Sequence, residues 1–166
     1  MKILIVGSVA SGKSTFAKEL SKKLNINLFE IDSIVHDDVN KVKRDEDSQK
    51  EIIDNINKEN SSWVIEGTLR KHLDYLLEYA DKIIFLNIDF KIRKRRILKR
   101  FIKQKLKLEK SNYNPSIEML KAMYKWNNDF EKEKDLFFKR INKYNEKLII
   151  LNNNKEIKNF KVRLKK

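Results

Sequence analysis

Ile3-Leu4-Ile5-Val6-Gly7-Ser8-Val9-Ala10-Ser11-Gly12-Lys13-Ser14-Thr15 decides how the rest of this chain is read. Four apolar residues in a row, three of them β-branched, flanked by Lys2 and Gly7, predict a buried strand. The next eight residues match G-x-x-x-x-G-K-[ST], the P-loop pattern. Glycines let such a loop bring main-chain N–H groups close to phosphate oxygens. The helix that follows adds the positive end of its dipole. The pattern makes Gly7, Ser8, Ala10, Ser11, Gly12, Lys13, Ser14 and Thr15 the candidate phosphate cradle. Lys13 is expected to reach the β- and γ-phosphates, and the Ser14 hydroxyl to ligate Mg²⁺. A helix is predicted over Lys13 to Leu24, with Ala17, Leu20 and Leu24 on one face.

Composition bounds the alternatives. The chain has 166 residues, 40% of them hydrophobic, enough for one domain with a real core. Zero cysteines excludes disulfides and Cys-ligated zinc. The two histidines, His36 and His72, are too far apart in sequence to suggest a His-built metal site. No apolar run approaches the roughly 20 residues of a membrane helix. The N-terminal run is too short for a signal peptide, so a cytoplasmic protein without membrane association is expected. The formal net charge of +14 attracts anions, either nucleotides or a nucleic acid. Solvated lysines around a local phosphate site are the favoured explanation, with a polyanion surface as the alternative.

Downstream, strands and helices alternate, which predicts a parallel sheet wrapped by helices. Strand two is expected over Asn27 to Ile31, ending at Asp32. Ligands of open α/β sheets bind beyond the carboxyl ends of strands, so Glu30 and Asp32 are candidates for organising Mg²⁺ or an acceptor hydroxyl. The bland reading of both is a helix cap or a solvated loop. Residues 33–62 are expected to cover the acceptor, with a helix over about 48–59 that turns Ile52, Ile53 and Ile56 inward. Strand three spans about 62–66 and is followed by Gly67, so that all three glycines sit at strand ends facing phosphate. A helix over about 69–79 buries Leu69, Leu73, Leu76 and Leu77, and strand four covers about 82–88.

The segment from Phe90 to Phe101 carries Arg93, Arg96, Arg100 and Lys103 on one helical face, with Ile97, Leu98, Phe101 and Ile102 packing elsewhere. Arg96 and Arg100 are candidates for stabilising charge on a transferring phosphoryl group, because a guanidinium offers a rigid fork of donors. A lysine-rich segment, about 103–116, holds the single proline and reads as a lid. The helix after it carries Met119, Met123, Trp126 and Phe130 as a core stripe. Strand five follows at about 147–151. Asn152-Asn153-Asn154 then forms a turn that could hold an adenine edge, and a last helix buries Ile157, Phe160 and Leu164.

Together these residues resemble the P-loop kinases of the nucleoside-monophosphate-kinase-like group, which includes adenylate and shikimate kinases. Within it, the plan is most similar to the small proteins labelled DNA topology modulation or adenylate-kinase-related. The likeness rests on Gly7 to Ser14, on Asp32, on Trp63-Val64-Ile65-Glu66-Gly67 with Arg70, and on Arg96 with Arg100. It implies a three-layer α/β P-loop NTPase fold with a five-stranded parallel sheet and a lid segment, in a single domain. It also implies an ATP- and Mg²⁺-dependent phosphotransferase acting on a small acceptor, a nucleoside monophosphate or related metabolite. Glu66 then stands where a magnesium-organising aspartate is expected, beside Gly67, and Arg70 where an arginine grips the acceptor's phosphate. Glu66 to Arg70 departs from the Asp-Gly-Phe-Pro-Arg pattern of adenylate kinases, and Glu30-x-Asp32 looks like the acidic pair of shikimate kinases. The rival from another class is a P-loop ATPase that binds DNA or RNA.

Overall fold

A computed structural model of the chain describes residues 1–37, 42–109 and 115–163. Five strands, β1 (Lys2–Val6), β2 (Asn27–Glu30), β3 (Trp63–Gly67), β4 (Lys82–Leu86) and β5 (Leu148–Leu151), form one parallel sheet in the order β2-β3-β1-β4-β5. The helices are α1 (Lys13–Leu24), α2 (Ile31–Val35), α3 (Glu46–Glu59), α4 (Tyr75–Tyr79), α5 (Phe90–Lys105), α6 (Ile117–Ile141) and α7 (Asn154–Arg163).

Period-two alternation sends each strand's side chains to opposite faces. Leu4, Val6, Trp63, Ile65, Ile83 and Phe85 face one core, which is closed by Ile53 and Ile56 of α3, Leu76 and Leu77 of α4, and Phe137 and Ile141 of α6. Ile3, Ile5, Val64, Ile84 and Leu86 face the other, against Phe16, Ala17 and Leu20 of α1 and the partly buried Ile157 and Phe160 of α7. With helices on both faces the central strands bury both sides, and that is why β1 and β4 read as near-continuous apolar runs and β3 as Trp63-Val64-Ile65 ahead of the buried Glu66. β1 is central, so the loop that leaves it opens where the chain turns outward on either side.

Several expectations require correction. β2 stops at Glu30, and Asp32 lies in the first turn of α2 rather than at a strand end. Buried Ile31, Ile34 and Val35 have helical spacing, in a segment too short for the period to stand out. The expected helix over 69–79 is broken into a 3-10 turn at Lys71–Leu73 and the short α4, yet all four of its leucines are buried. On α5, Leu98 and Ile102 are exposed, while Arg93 and Ile97 are buried. On α6 the inward face passes through Met123, Asn127, Phe137 and Ile141, which leaves Trp126 more than half exposed. Gly12 sits at the start of α1 and not at a strand end. Of the expected lid, 103–105 belong to α5, and residues 110–114 lie outside the described residues, as does Leu164.

Candidate active site

The loop between β1 and α1 is built on unusual backbone angles. Gly12 has φ 99°, a left-handed value that disfavours a β-carbon, and Ala10 has φ 58°. The turn is closed by Ser11 N–H donating to Ser8 O at 3.3 Å, and α1 begins with Phe16 N–H donating to Gly12 O at 3.0 Å. α1 has no side-chain cap at its N-terminus and no acidic residue in its first turn. Its first N–H groups thus have neither of the usual neutralising partners. The hydroxyls of Ser8 and Ser11 are buried and find no hydrogen-bond partner among the described residues.

Lys13 donates from Nζ to Ser8 O at 3.0 Å. Burial lowers its pKa, while Glu66 and then Asp32 pull it back up. Glu66 closes the buried end of β3. Burial raises its pKa, opposed by the Lys13 charge and by a hydrogen bond from Ser14. Lys13, Ser14 and Glu66 therefore form one group at the carboxyl ends of β1 and β3. Gly67 follows, packed so tightly on α2 that a β-carbon there would fall 2.5 Å from Ile31 Cβ. Ile31 carries Asp32, whose carboxylate is 75% exposed and 3.4 Å from Arg70 Nη2.

Arg96 reaches the loop from α5. Its Nη1 donates to Ala10 O at 3.2 Å and to Ser11 O at 2.8 Å, and its Nη2 to Asn154 Oδ1 at 2.6 Å. Burial lowers its pKa.

The other candidates lie further out. Glu30 is 3.6 Å from Lys18, and Arg100 Nε is 3.7 Å from Glu109. Thr15 is exposed. Arg93 shares the sequence face of Arg96 but turns the opposite way. It is 1% exposed, donates to Ile88 O at 2.9 Å, pairs with Glu131 and lies against the rings of Phe90 and Phe130.

One residue of the site escaped the sequence reading. Thr68 donates to Gly7 O at 3.3 Å and ties β3 to the loop; its position directly after Glu66-Gly67 was the available signal. Asn154, expected in a turn that could hold an adenine edge, accepts from Arg96.

A family model described as AAA domain matches residues 3–114. No curated protein matches the chain. Among solved structures, a shikimate kinase from Bacteroides thetaiotaomicron has a TM-score of 0.60 at 17% identity, covering 99% of this chain and 96% of that one. A deoxyadenosine kinase from M. mycoides with bound dATP gives 0.51 at 17% identity, with both chains covered completely. A shikimate kinase from Aquifex aeolicus gives 0.53 at 16% identity, covering 99% and 96%. At these identities the likeness is one of fold.

Proposed function

The chain belongs to the AAA domain family, and on that premise we propose that it is a P-loop kinase, moving the γ-phosphoryl group of ATP-Mg²⁺ to a small acceptor. One observation carries the reading. Within Gly7 to Ser14, buried serine hydroxyls without partners among the described residues meet a helix start without a side-chain cap and a desolvated lysine. A polyphosphate supplies the acceptor oxygens that such donors lack.

When bound, ATP-Mg²⁺ would supply the activated phosphoryl group. Lys13 holds charge against the β- and γ-phosphates, and Arg96 and Arg100 approach from α5 to stabilise the group in flight. Ser14, with Glu66 or Glu30, suits a magnesium ion that takes its remaining oxygens from phosphate and water. Asp32, Gly67 and Arg70 form the acceptor side. Positioning and electrostatics do most of the catalytic work in this chemistry.

Calorimetric titration of ATP-Mg²⁺ into the protein and into Lys13→Ala tests the reading. The variant is expected to bind at least about tenfold more weakly and to lose phosphoryl transfer, since a lysine–phosphate contact is worth roughly 1.5–3 kcal/mol. Unchanged affinity and turnover overturn the proposal. The nucleic-acid alternative rests on the exposed Lys91, Lys94, Arg95 and Lys99 of α5. It requires DNA or RNA affinity that falls steeply with salt.

A further inference from the structure

We propose that the exposed side of α5 docks on an anionic lipid surface, with the helix lying in the plane of the headgroups. The inference stands apart from the kinase reading, because none of its residues belongs to the phosphate loop or the acceptor side. Phe90–Lys105 holds nine lysines and arginines and no aspartate or glutamate. The buried Arg93, Ile97 and Gln104 define its inward side. The outward side of a helix on a water-facing domain is ordinarily polar throughout. Here it carries Leu98, Ile102 and, at the C-terminal cap, Leu106, spaced by four so that each lies about one turn beyond the last. They are 44, 47 and 63% exposed. Lys91, Arg95 and Lys99 share this side, and their side chains make no hydrogen bond or ion pair among the described residues. Carboxylates touch α5 elsewhere: Asp89 caps its start, Glu131 pairs with the inward Arg93, and Glu109 lies against Arg100.

Charge chooses among the occupants such a face could take. A second copy of this chain would bring two acid-free cationic faces together, and their repulsion opposes association. A nucleic-acid backbone answers the cations but gives Leu98 and Ile102 nothing apolar to bury against. A bilayer with anionic headgroups answers both, since the cations stay among the headgroups while the aliphatic side chains enter the acyl boundary. The methylene stems of Lys91, Arg95 and Lys99 can bury beside them. A single convex helix also needs no groove to meet a flat surface. Arg96, which holds the loop carbonyls, lies about 120° around the helix from Ile102, so contact along Leu98 and Ile102 leaves the loop side open. The expectation of no membrane association follows from the lack of a spanning apolar run, and no helix among the described residues is long and apolar enough to cross a membrane. Neither bears on a helix that lies against the surface.

The test is co-sedimentation of the full chain with vesicles of phosphatidylcholine alone and of phosphatidylcholine mixed equally with phosphatidylglycerol. Partitioning onto the anionic vesicles is expected to be about tenfold stronger or more, and to fall as salt is raised. Replacing Lys91, Arg95 and Lys99 together by Gln should weaken it by about 100-fold, roughly fivefold for each cation near the surface. The pair Leu98→Ser and Ile102→Ser leaves the charge untouched and should still weaken it about tenfold or more. Thermal melts check that these exposed changes leave the fold intact. Equal partitioning onto neutral and anionic vesicles overturns the inference, and so does full binding by the Leu98→Ser, Ile102→Ser variant. Binding of a DNA duplex that the same variant retains, without vesicle binding, gives the face to nucleic acid and overturns it too. A dimer that the variant dissolves, seen by sedimentation velocity without vesicle binding, gives it to a second copy with the same result.

Discussion

Gly67→Ala should damage the chain and the acceptor side together. A β-carbon at this position would lie 2.5 Å from Ile31 Cβ, 3.1 Å from its Cγ1 and 3.2 Å from its Cδ1. Carbon atoms rest about 3.5–4.0 Å apart, so Ile31 must move by roughly 1 Å. No rotamer change relieves the worst contact, because Cβ is fixed to the backbone; α2 itself has to shift. Ile31 is fully buried in the core formed with Leu4, Val6 and Ile65, which resists such a shift. Overpacking of this kind costs roughly 2–3 kcal/mol, or about 4–12 °C in melting temperature for a domain of this size. Asp32 moves with Ile31, and a displacement of about 1 Å at a reacting centre lowers turnover by roughly 100-fold. Thermal melts and acceptor-dependent ADP release read the two effects. Adding Ile31→Ala should not rescue Gly67→Ala, since alanine keeps the offending Cβ and opens a cavity besides. Wild-type melting of Gly67→Ala, or recovery in the double variant, refutes the reasoning.

Glu131→Ala leaves the buried Arg93 guanidinium without its carboxylate and should cost roughly 3 kcal/mol in urea melts, at the low end for a broken buried pair because Glu131 is partly exposed. Arg93→Met should cost less; the opposite order would mean that the pair itself, not the stranded charge, dominates. Tyr75, its hydroxyl buried without a partner among the described residues, is pushed up to about 12 by burial, Asp54 and Tyr79. Its folded value exceeds the unfolded one of 10.0, so its contribution is complete below that pH and is lost as pH climbs towards 12. Ultraviolet titration should find three late tyrosines among the five, Tyr75, Tyr79 and Tyr144, with one late step absent in Tyr75→Phe, and that variant should be within about 1 kcal/mol of wild type or more stable at neutral pH. Glu66 is also raised by burial, so stability falls as pH rises through and above its ordinary value of 4.5. Glu66→Gln should therefore melt higher at neutral pH and show a weaker magnesium dependence of turnover; an unchanged magnesium response removes Glu66 from the metal's surroundings.

The sheet and the phosphate loop were legible because each has a local signature. β1 and β4 are unbroken apolar runs, and the loop spelling is confined to eight residues. α1 was legible to its last residue, since Asn25, in a left-handed conformation, stops it. What failed were features decided by partners distant in sequence. Arg93 and Arg96 look alike on a helical wheel, yet one pairs with Glu131 and the other with loop carbonyls 85 and 86 residues earlier. Trp126 looks like core, but the buried line of α6 runs through Asn127, a polar residue that no apolar pattern would choose. The helical turn at Ile31–Val35 is five residues long, too short for a period to be recognised, and it relocated Asp32.

Partnerless polar atoms alone do not mark a site. Asn127 and Tyr75 bury such groups well away from the loop in sequence, and each can be understood as a local imperfection of packing. The loop is different because independent departures from good folding practice coincide within a few residues. Ala10 holds a left-handed angle, Ser8 and Ser11 bury hydroxyls without partners among the described residues, α1 starts uncapped, and Lys13 is desolvated. Glu66, desolvated in its turn, lies opposite. Each departure opposes folding, and none improves packing elsewhere. A single anion with several oxygens, bound against Lys13 and the start of α1, answers the donors at once and strengthens the charge that Lys13 must carry. Carboxylates gather instead around Asp32 and Glu66. The group is thus divided by charge, cationic at Lys13 and anionic at Asp32 and Glu66.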